Sequence, residues 1–540
     1  MQDRDPRFAT TLAHGLDVAE AYANGPQVLS NGELARRTGL SKATITRMTT
    51  TLATRGLVEQ LSGGRGHRLG TATLTLGYPL LAQLRLRRLA RLPMKHLAES
   101  LRASVSLGVR DRFRMVYVET LRSNDPVSFQ PDVGAPLPML KTAMGRAWLA
   151  SAHARERAEV KAGLRAAEAV SAQRVSAIVH RAGEQLATHG FCWSEGDWLP
   201  DVHAVAVPLS IDVLGERMVL NCGMAARRLG PADLRRVVGP RLLALAARIE
   251  ADWSEANESP DEPLSQAGEA VPFAWRENQY QSKWLTDPRD GTFARTLALG
   301  IDVLQCFGPN DAYIGTRELA RRTGALPSTI TRITYTLCER GYLRRDAATG
   351  RYRLGAATLA LAYPMLSSLR VRRIARPHML ALSERLGVAV SLGRRHGTSM
   401  VYVETAWRTD ARFLPPDTGA PMPMLLTAMG RAWIASAGEG ERNDVLRRIG
   451  LEQPQAYARY ARAALQSAQA CKQQGWCSSN DFRPEIVAVA VPLAVPVDGV
   501  SYVLNCGMLK ERCSTQAQIK AIATALRGIA ALIQKELVGE

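Results

Sequence analysis

The chain states its pattern twice. A shift of about 285 residues lays Phe8 on Phe293, Glu33 on Glu318, Arg47 on Arg332, Gly70 on Gly355 and Trp148 on Trp433 without a gap. Repeats that stack into solenoids have periods of roughly 20 to 50 residues, because one such repeat cannot bury a face alone. A period this long makes each copy a complete folding unit. The 540 residues fit two copies of a two-domain unit, since domains commonly run to about 100 to 200 residues.

Charge narrows the class further. The chain carries a net charge of +19 in an otherwise ordinary globular composition, 46% hydrophobic and 22% charged. Such a field attracts polyanions, so nucleic acid or an anionic membrane surface is the natural partner. Membrane is the weaker option, because no apolar run approaches the roughly 18 to 20 residues of a spanning helix. Met1 to Phe8 is charged and no apolar signal segment follows, which predicts a cytoplasmic protein without membrane contact. The eight cysteines (Cys192, Cys222, Cys306, Cys338, Cys471, Cys477, Cys506, Cys513) form no C-x-x-C pair and no zinc-like spacing with histidine. They read as reduced thiols, with no metal and no cofactor.

Copy one runs from about Arg7 to Glu250 and copy two from about Gly291 onward. Between them, Ser254 to Asp290 is rich in Glu, Asp, Ser and Pro and reads as a flexible linker. Phe8, Leu12, Leu16 and Ala19 recur at helical spacing, as do Phe293, Leu297 and Ile301. Ser30 to Glu33 predicts a capping box opening a second helix that stops at Gly39. A third helix runs from Ser41 to about Arg55, with Gly56 as its stop. Val58 to Gln60, a turn with Gly63, Gly64 and Gly66, and His67 to Gly70 read as a short hairpin, repeated at Leu343 to Gly355. A long helix through Leu74, Tyr78, Leu81 and Leu84 follows. In the remainder, Ala103 to Val109 and Met115 to Thr120 alternate like a hairpin, and Ala204 to Leu209 and Met218 to Gly223 read as short apolar strands.

Two short helices, a tight turn and a hairpin make a winged helix-turn-helix, whose second helix enters the major groove of DNA. On that helix Ile45, Met48 and Leu52 should pack inward, leaving Ala43, Arg47, Thr50 and Thr54 outward. Copy two repeats this as Ile330, Ile333 and Leu337 against Ser328, Arg332, Tyr335 and Glu339. Arg47 and Arg332 are the candidates for guanine or phosphate contact. Ser41, Lys42, Thr44, Thr46 and Arg68, with Ser328, Thr329, Thr331, Tyr335 and Arg353, complete the expected DNA surface. Five basic residues and no acid lie between Leu34 and Arg55.

Glu33 to Gly39, Ser41 to Gly56 and Arg68-Leu69-Gly70 resemble the DNA-binding domain of the IclR family of bacterial transcription regulators. The second domain is similar to that family's effector domain through Ser106-Leu107-Gly108, Val116-Tyr117-Val118-Glu119, Gly134 to Pro138, Thr142 to Ala147 and Asn221-Cys222-Gly223. The resemblance implies an α+β fold: a tandem winged helix-turn-helix domain plus an α/β effector-binding domain with a curved, GAF-like antiparallel sheet. The expected domains are 1–85 and 291–370 for the heads with their linker helices, 86–252 and 371–540 for the effector domains, and 253–290 between the units. Two departures stand out: family members usually carry one unit per chain, and Arg146 and Arg431 replace a common lysine, as in regulators of aromatic-acid catabolism.

A helix start after the Pro-rich turn offers unpaired amides and a positive dipole end to a carboxylate. The resemblance implies a small organic acid there, aromatic acids included, lined by Ala143, Met144, Glu195 or Asp197, Leu220 and Cys222. The counterparts are Ala428, Met429, Asp481, Leu504 and Cys506. Arg146 and Arg431 could equally anchor the facing loop. Support for catalysis is thin: there is no G-x-S-x-G, phosphate-binding glycine loop or H-E-x-x-H, and His14, His67 and His96 align with Leu299, Tyr352 and Ala381, which weakens an enzyme reading without eliminating it. The expectation is a non-enzymatic regulator reading duplex DNA at two non-identical half-sites, with further pairing of chains into a homodimer left open. The rivals are an enzyme with vestigial heads and a non-specific nucleoid protein.

Overall fold

The computed structural model describes residues 5–23, 25, 27–61, 64, 66–123, 132–168, 170–258, 292–407, 416–513 and 515–539. Each copy begins with a three-helix head: α1 (Thr10–Glu20), α2 (Asn31–Thr38) and α3 (Lys42–Thr54), then the hairpin β1 (Val58–Gln60) and β2 (His67–Leu69). Ser30 accepts the Glu33 amide at 3.2 Å, the N-cap half of the expected box. The Glu33 carboxylate does not complete that box; it takes Arg36 and Arg37 at 2.7 Å each, since charged donors one turn along outbid a neutral amide. Gly39 closes α2 at φ 72°. Ser41 caps α3 through the Thr44 amide, and its apolar stripe of Ile45, Met48 and Leu52 is fully buried. Gly63 of the expected wing turn lies outside the described residues.

α4 (Ala72–Gln83) ends about where the apolar spacing predicts, and a further helix, α5 (Leu86–Leu101), follows that the spacing had left in the mixed remainder. The first effector domain then runs β3 (Ser104–Asp111), β4 (Arg114–Arg122), β5 (Pro136–Pro138), α6 (Ala143–Ser151), α7 (Ala154–Glu168), α8 (Ala172–His189), β6 (Cys192–Glu195), β7 (Val202–Val213), β8 (Glu216–Ala225), the turn α9 (Pro231–Asp233) and α10 (Gly239–Glu258). α10 extends past the expected linker start at 253; positions 259–290 of that linker lie outside the described residues.

Copy two repeats the order. Its head is α11 (Arg295–Gln305), α12 (Thr316–Thr323), α13 (Pro327–Glu339), β9 (Leu343–Arg345) and β10 (Tyr352–Leu354). The linker helices are α14 (Ala357–Ser368) and α15 (Arg370–Leu386). Its effector domain holds β11 (Ala389–His396), β12 (Ser399–Ala406), β13 (Pro421–Pro423), α16 (Ala428–Ser436), α17 (Glu439–Glu452), α18 (Pro454–Gln474), β14 (Cys477–Ser479), β15 (Ile486–Pro492), β16 (Tyr502–Leu509) and α19 (Gln516–Gly539). Both effector sheets are curled, six-stranded and antiparallel, in the orders β5-β4-β3-β8-β7-β6 and β13-β12-β11-β16-β15-β14. Each packs one face on a helical layer centred on a tryptophan, Trp148 or Trp433, both 1% exposed.

Packing groups the chain into two units, and each unit draws on both copies. The first joins the first effector domain to the second head from Pro309 on; the second joins the first head from His14 on, with α11 beside it, to the second effector domain. In the first unit Glu216 takes Arg353 at 2.7 Å and Arg344 at 3.2 Å. In the second, Glu59 takes Arg394 at 2.7 Å and Arg68 at 2.9 Å. Each linker helix also meets a glycine of the effector domain in its own unit. A Cβ on Gly134 would lie 2.5 Å from the Leu359 carbonyl oxygen, and one on Gly419 2.6 Å from that of Leu74.

Both glycines also sit at φ 87°, where a side chain is strained. Gly419→Ala should therefore destabilise the second unit by about 1–3 kcal/mol. Gly440→Ala, in open space on α17, should be neutral or stabilising by up to about 1 kcal/mol. Urea unfolding of the two variants compares them directly.

Candidate functional site

The outward face of α3 is presented as the helical period requires. Ser41, Lys42, Thr46 and Arg47 are exposed and Thr44 is half-buried. Thr46 receives the Asn31 amide at 3.1 Å and donates to the Lys42 carbonyl at 3.1 Å, which orders the leading turn of the helix. The Arg47 guanidinium reaches the Phe293 carbonyl at 3.5 Å. In the second head Pro327 opens α13 at its first turn without a side-chain cap. Ser328, Thr331 and Arg332 are exposed and Thr329 half-buried. Tyr335 is occupied: its hydroxyl donates to Asp5 at 2.9 Å and its ring lies 4.4 Å under the Arg7 guanidinium.

The wing arginines depart from expectation. Arg353 is 5% exposed and bound to Glu216, so its side chain faces the effector domain and not the outer surface expected to meet phosphate. Burial opposes ionisation of Glu216, and Arg344 and Arg353 outweigh it, holding the carboxyl below its ordinary pKa. Arg68 is likewise engaged, with Glu59 at 2.9 Å and the Asp498 carbonyl at 3.1 Å. A basic residue on a wing is drawn to whichever anion lies within reach, and here that anion belongs to the protein.

In the first effector domain Thr142 fixes the start of α6 twice over. It accepts the Gly145 amide at 3.2 Å and donates to the Pro138 carbonyl at 2.9 Å. Gly145 allows the helix to rest on the Met139 backbone, 2.2 Å from where a Cβ would stand. Gly108, at a bulge between β3 and β4, does the same for Met144, whose sulfur would lie 2.3 Å from a Cβ there. Between α6 and the sheet lies a cavity of about 20 Å³, lined by Tyr117, Thr142, Met144, Trp198, Asn221 and neighbouring residues. That is room for about one water molecule. Copy two keeps the frame, with Thr427 capping Gly430 at 3.1 Å and Met429 against Gly393.

Of the expected lining residues Met144 is at the cavity, while Ala143 is packed into the core beside it. Ala428 and Met429 are core residues of the second effector domain. Leu220 and Cys222 are corrected: side chains alternate along β8, and the residues meeting the cavity or its core are Val219, Asn221 and Gly223. Leu220 and Cys222 therefore point to the other face of the sheet, where Arg241 of α10 is the charged neighbour of Cys222. The same alternation sets Leu504 and Cys506 opposite Val503 of the second core. Glu195 takes Arg235 at 2.6 Å. Asp197 takes Arg146 at 3.0 Å, and although burial raises its pKa, that bond and charge bring it below the ordinary value. Arg431 pairs with Asp481 in the same way. Arg146 and Arg431 thus anchor the loop after β6 and β14, each also donating to a carbonyl at the helix start, Leu140 or Leu425.

The sequence reading omitted Tyr117, Trp198 and Asn221 from the cavity. A period of two from Val219 would have selected Asn221. All eight cysteines are free, and among the described residues no cluster of His, Cys, Asp and Glu could hold a metal. Burial pushes the Cys222 and Cys506 thiols up to about 12. Neither should react with Ellman's reagent at pH 8 in the native protein, whereas all eight should react in guanidinium chloride.

Known proteins match this architecture copy by copy. The model for the bacterial transcriptional regulator IclR C-terminal domain matches residues 79–246 and 363–535, and that for the IclR helix-turn-helix domain matches 11–62 and 296–347. The chain is 35% identical over 153 residues to the HTH-type transcriptional regulator TsaQ1/TsaQ2 of Comamonas testosteroni, covering 28% of this chain and 55% of that one. It is 26% identical over 208 residues to the Pca regulon regulatory protein of Pseudomonas putida, covering 38% and 70%. The crystal structure of an IclR family transcriptional regulator from Brucella abortus is 30% identical, with a TM-score of 0.43, covering 46% of this chain and 94% of that one. The chain thus spans about half the length of the first of these relatives. With the C-terminal model alone spanning more than half of the chain, and each model matching twice, the protein belongs to the IclR family of transcription regulators, not of enzymes, and carries two of its units in tandem.

Proposed function

We propose that this protein is a cytoplasmic transcription regulator that binds duplex DNA through α3 and α13 and is controlled by a small organic acid in its effector domains. The observation that carries the reading is the pair of helices whose apolar stripes are buried while Arg47 and Arg332 stand exposed among hydroxyl side chains. Ser41, Lys42, Thr44 and Thr46, with Ser328, Thr329 and Thr331, form the rest of the reading surface. The outward faces differ, Ala43 against Ser328, so the operator consists of two unequal half-sites. Domain limits at 1–85, 86–252, 253–290, 291–370 and 371–540 follow from this reading, and the fused chains pair further into homodimers.

The effector occupies the space between α6 and the sheet, where Thr142, Tyr117 and Asn221 supply polar contacts. Entry of an acid requires Trp198 and the adjoining loop to move, which couples occupancy to the loop that Arg146 anchors. Among the described residues no helix is long and apolar enough to cross a membrane.

Arg47→Ala should cost about 1–3 kcal/mol at one half-site and relax its base preference, and Arg332→Ala should do so at the other. Gel retardation on operator variants measures both. An even loss of affinity on all sequences would favour a non-specific DNA-coating protein. Thermal shift with a panel of aromatic and aliphatic acids tests the effector, because a ligand at a hundred times its Kd stabilises by about 2.7 kcal/mol. No shift with any organic acid would overturn the effector class.

A further inference from the structure

We infer that a reversal of charge between the two copies dictates which head docks on which effector domain. The wing position is Glu59 in copy one and Arg344 in copy two. The effector surfaces that receive these heads differ in the opposite sense. Arg394, facing Glu59, aligns with Val109; Glu216, facing Arg344, aligns with Val500. The contacts are close and half-buried: the receiving side chains Arg394 and Glu216 are 6% and 9% exposed, and the wing side chains Glu59 and Arg344 that meet them 29% and 27%.

Docking each head on the effector domain of its own copy would break both pairs. Glu59 would replace Arg344 beside Glu216, trading a guanidinium for a second carboxylate at a place where Arg110 is the other charged neighbour. Arg344 and Arg353 would meet Arg394, gathering three guanidiniums where Glu59 had stood. Buried charge left without a partner is strongly unfavourable, so the wrong arrangement is rejected even though the two heads share a fold. Four residues, Glu59, Arg394, Arg344 and Glu216, are the specificity determinants, and they make the duplicated chain an obligate cross-paired molecule.

The test uses the full chain. Glu59→Arg and Arg394→Glu, each alone, should speed amide hydrogen exchange in β1 and β2 at least tenfold, and the two together should return it towards the native rate. A photo-crosslinking residue at Gln60 reports the docking partner by mass spectrometry. Natively it should label the Asp498 to Ser501 turn; with Glu59→Arg and Arg344→Glu combined, label should move to the turn before Glu216. Failure of the double reversal to restore protection would overturn the inference. So would an unmoved crosslink in a folded variant; should that variant not fold, the exchange measurement on the Glu59 and Arg394 reversals decides.

Discussion

Two carboxylates, Glu216 and Glu59, hold the heads in place, and each is shared between two guanidiniums. Fully exposed pairs contribute little, but Arg394, Arg353 and Glu216 are mostly buried, and a buried charge is tolerated only in the geometry that answers it. The head is thereby held in one discrete pose on its effector domain. A second set of buried pairs extends that constraint inward. Glu119 takes Arg87 and Arg91 of α5 at 3.0 and 2.6 Å, and Glu404 takes Arg372 and Arg376 of α15 at 2.8 and 3.2 Å. Each of these carboxylates lies two residues along its strand from a tyrosine, Tyr117 or Tyr402. Glu119 thereby ties β4 to α5, and Glu404 ties β12 to α15.

Small residues let α6 and α16 approach their sheets closely. Gly108 and Gly393 admit the Met144 and Met429 side chains against the sheet, and Gly145 and Gly430 let the helices rest on the preceding backbone. The frame is common to both copies, but the loop over it is not. After Asp197 the first copy continues Trp198-Leu199, whereas after Asp481 the second continues Phe482-Arg483. A guanidinium at that rim gives the second effector domain a charge that the first lacks. Duplication has thus kept the scaffold and varied the loop residues around it.

The heads were legible because local rules govern them. Three apolar residues at helical spacing, a serine cap and a glycine stop define α3 without help from distant residues, and Ile45, Met48 and Leu52 are buried accordingly. Glu33 was misread in part, since a returning carboxylate and an ion-paired one look alike until the competing arginines are weighed. The wing arginines were misread for a deeper reason. Arg353 meets a carboxylate more than a hundred residues away, and no local pattern separates that arginine from one facing phosphate. Leu220 and Cys222 failed differently: the strand was recognised, but its alternation was not used to choose between Cys222 and its neighbour Asn221.

By itself the sequence determined the duplication, the winged heads and four strands of the effector domain, since these follow from periodicity, capping and repetition along one dimension. Tertiary structure alone decided that each head rests on the effector domain of the other copy, because that choice depends on complementary buried charges far apart in the chain. It also decided which face of β8 meets the cavity, because register against neighbouring strands, and not residue type, fixes where a side chain points.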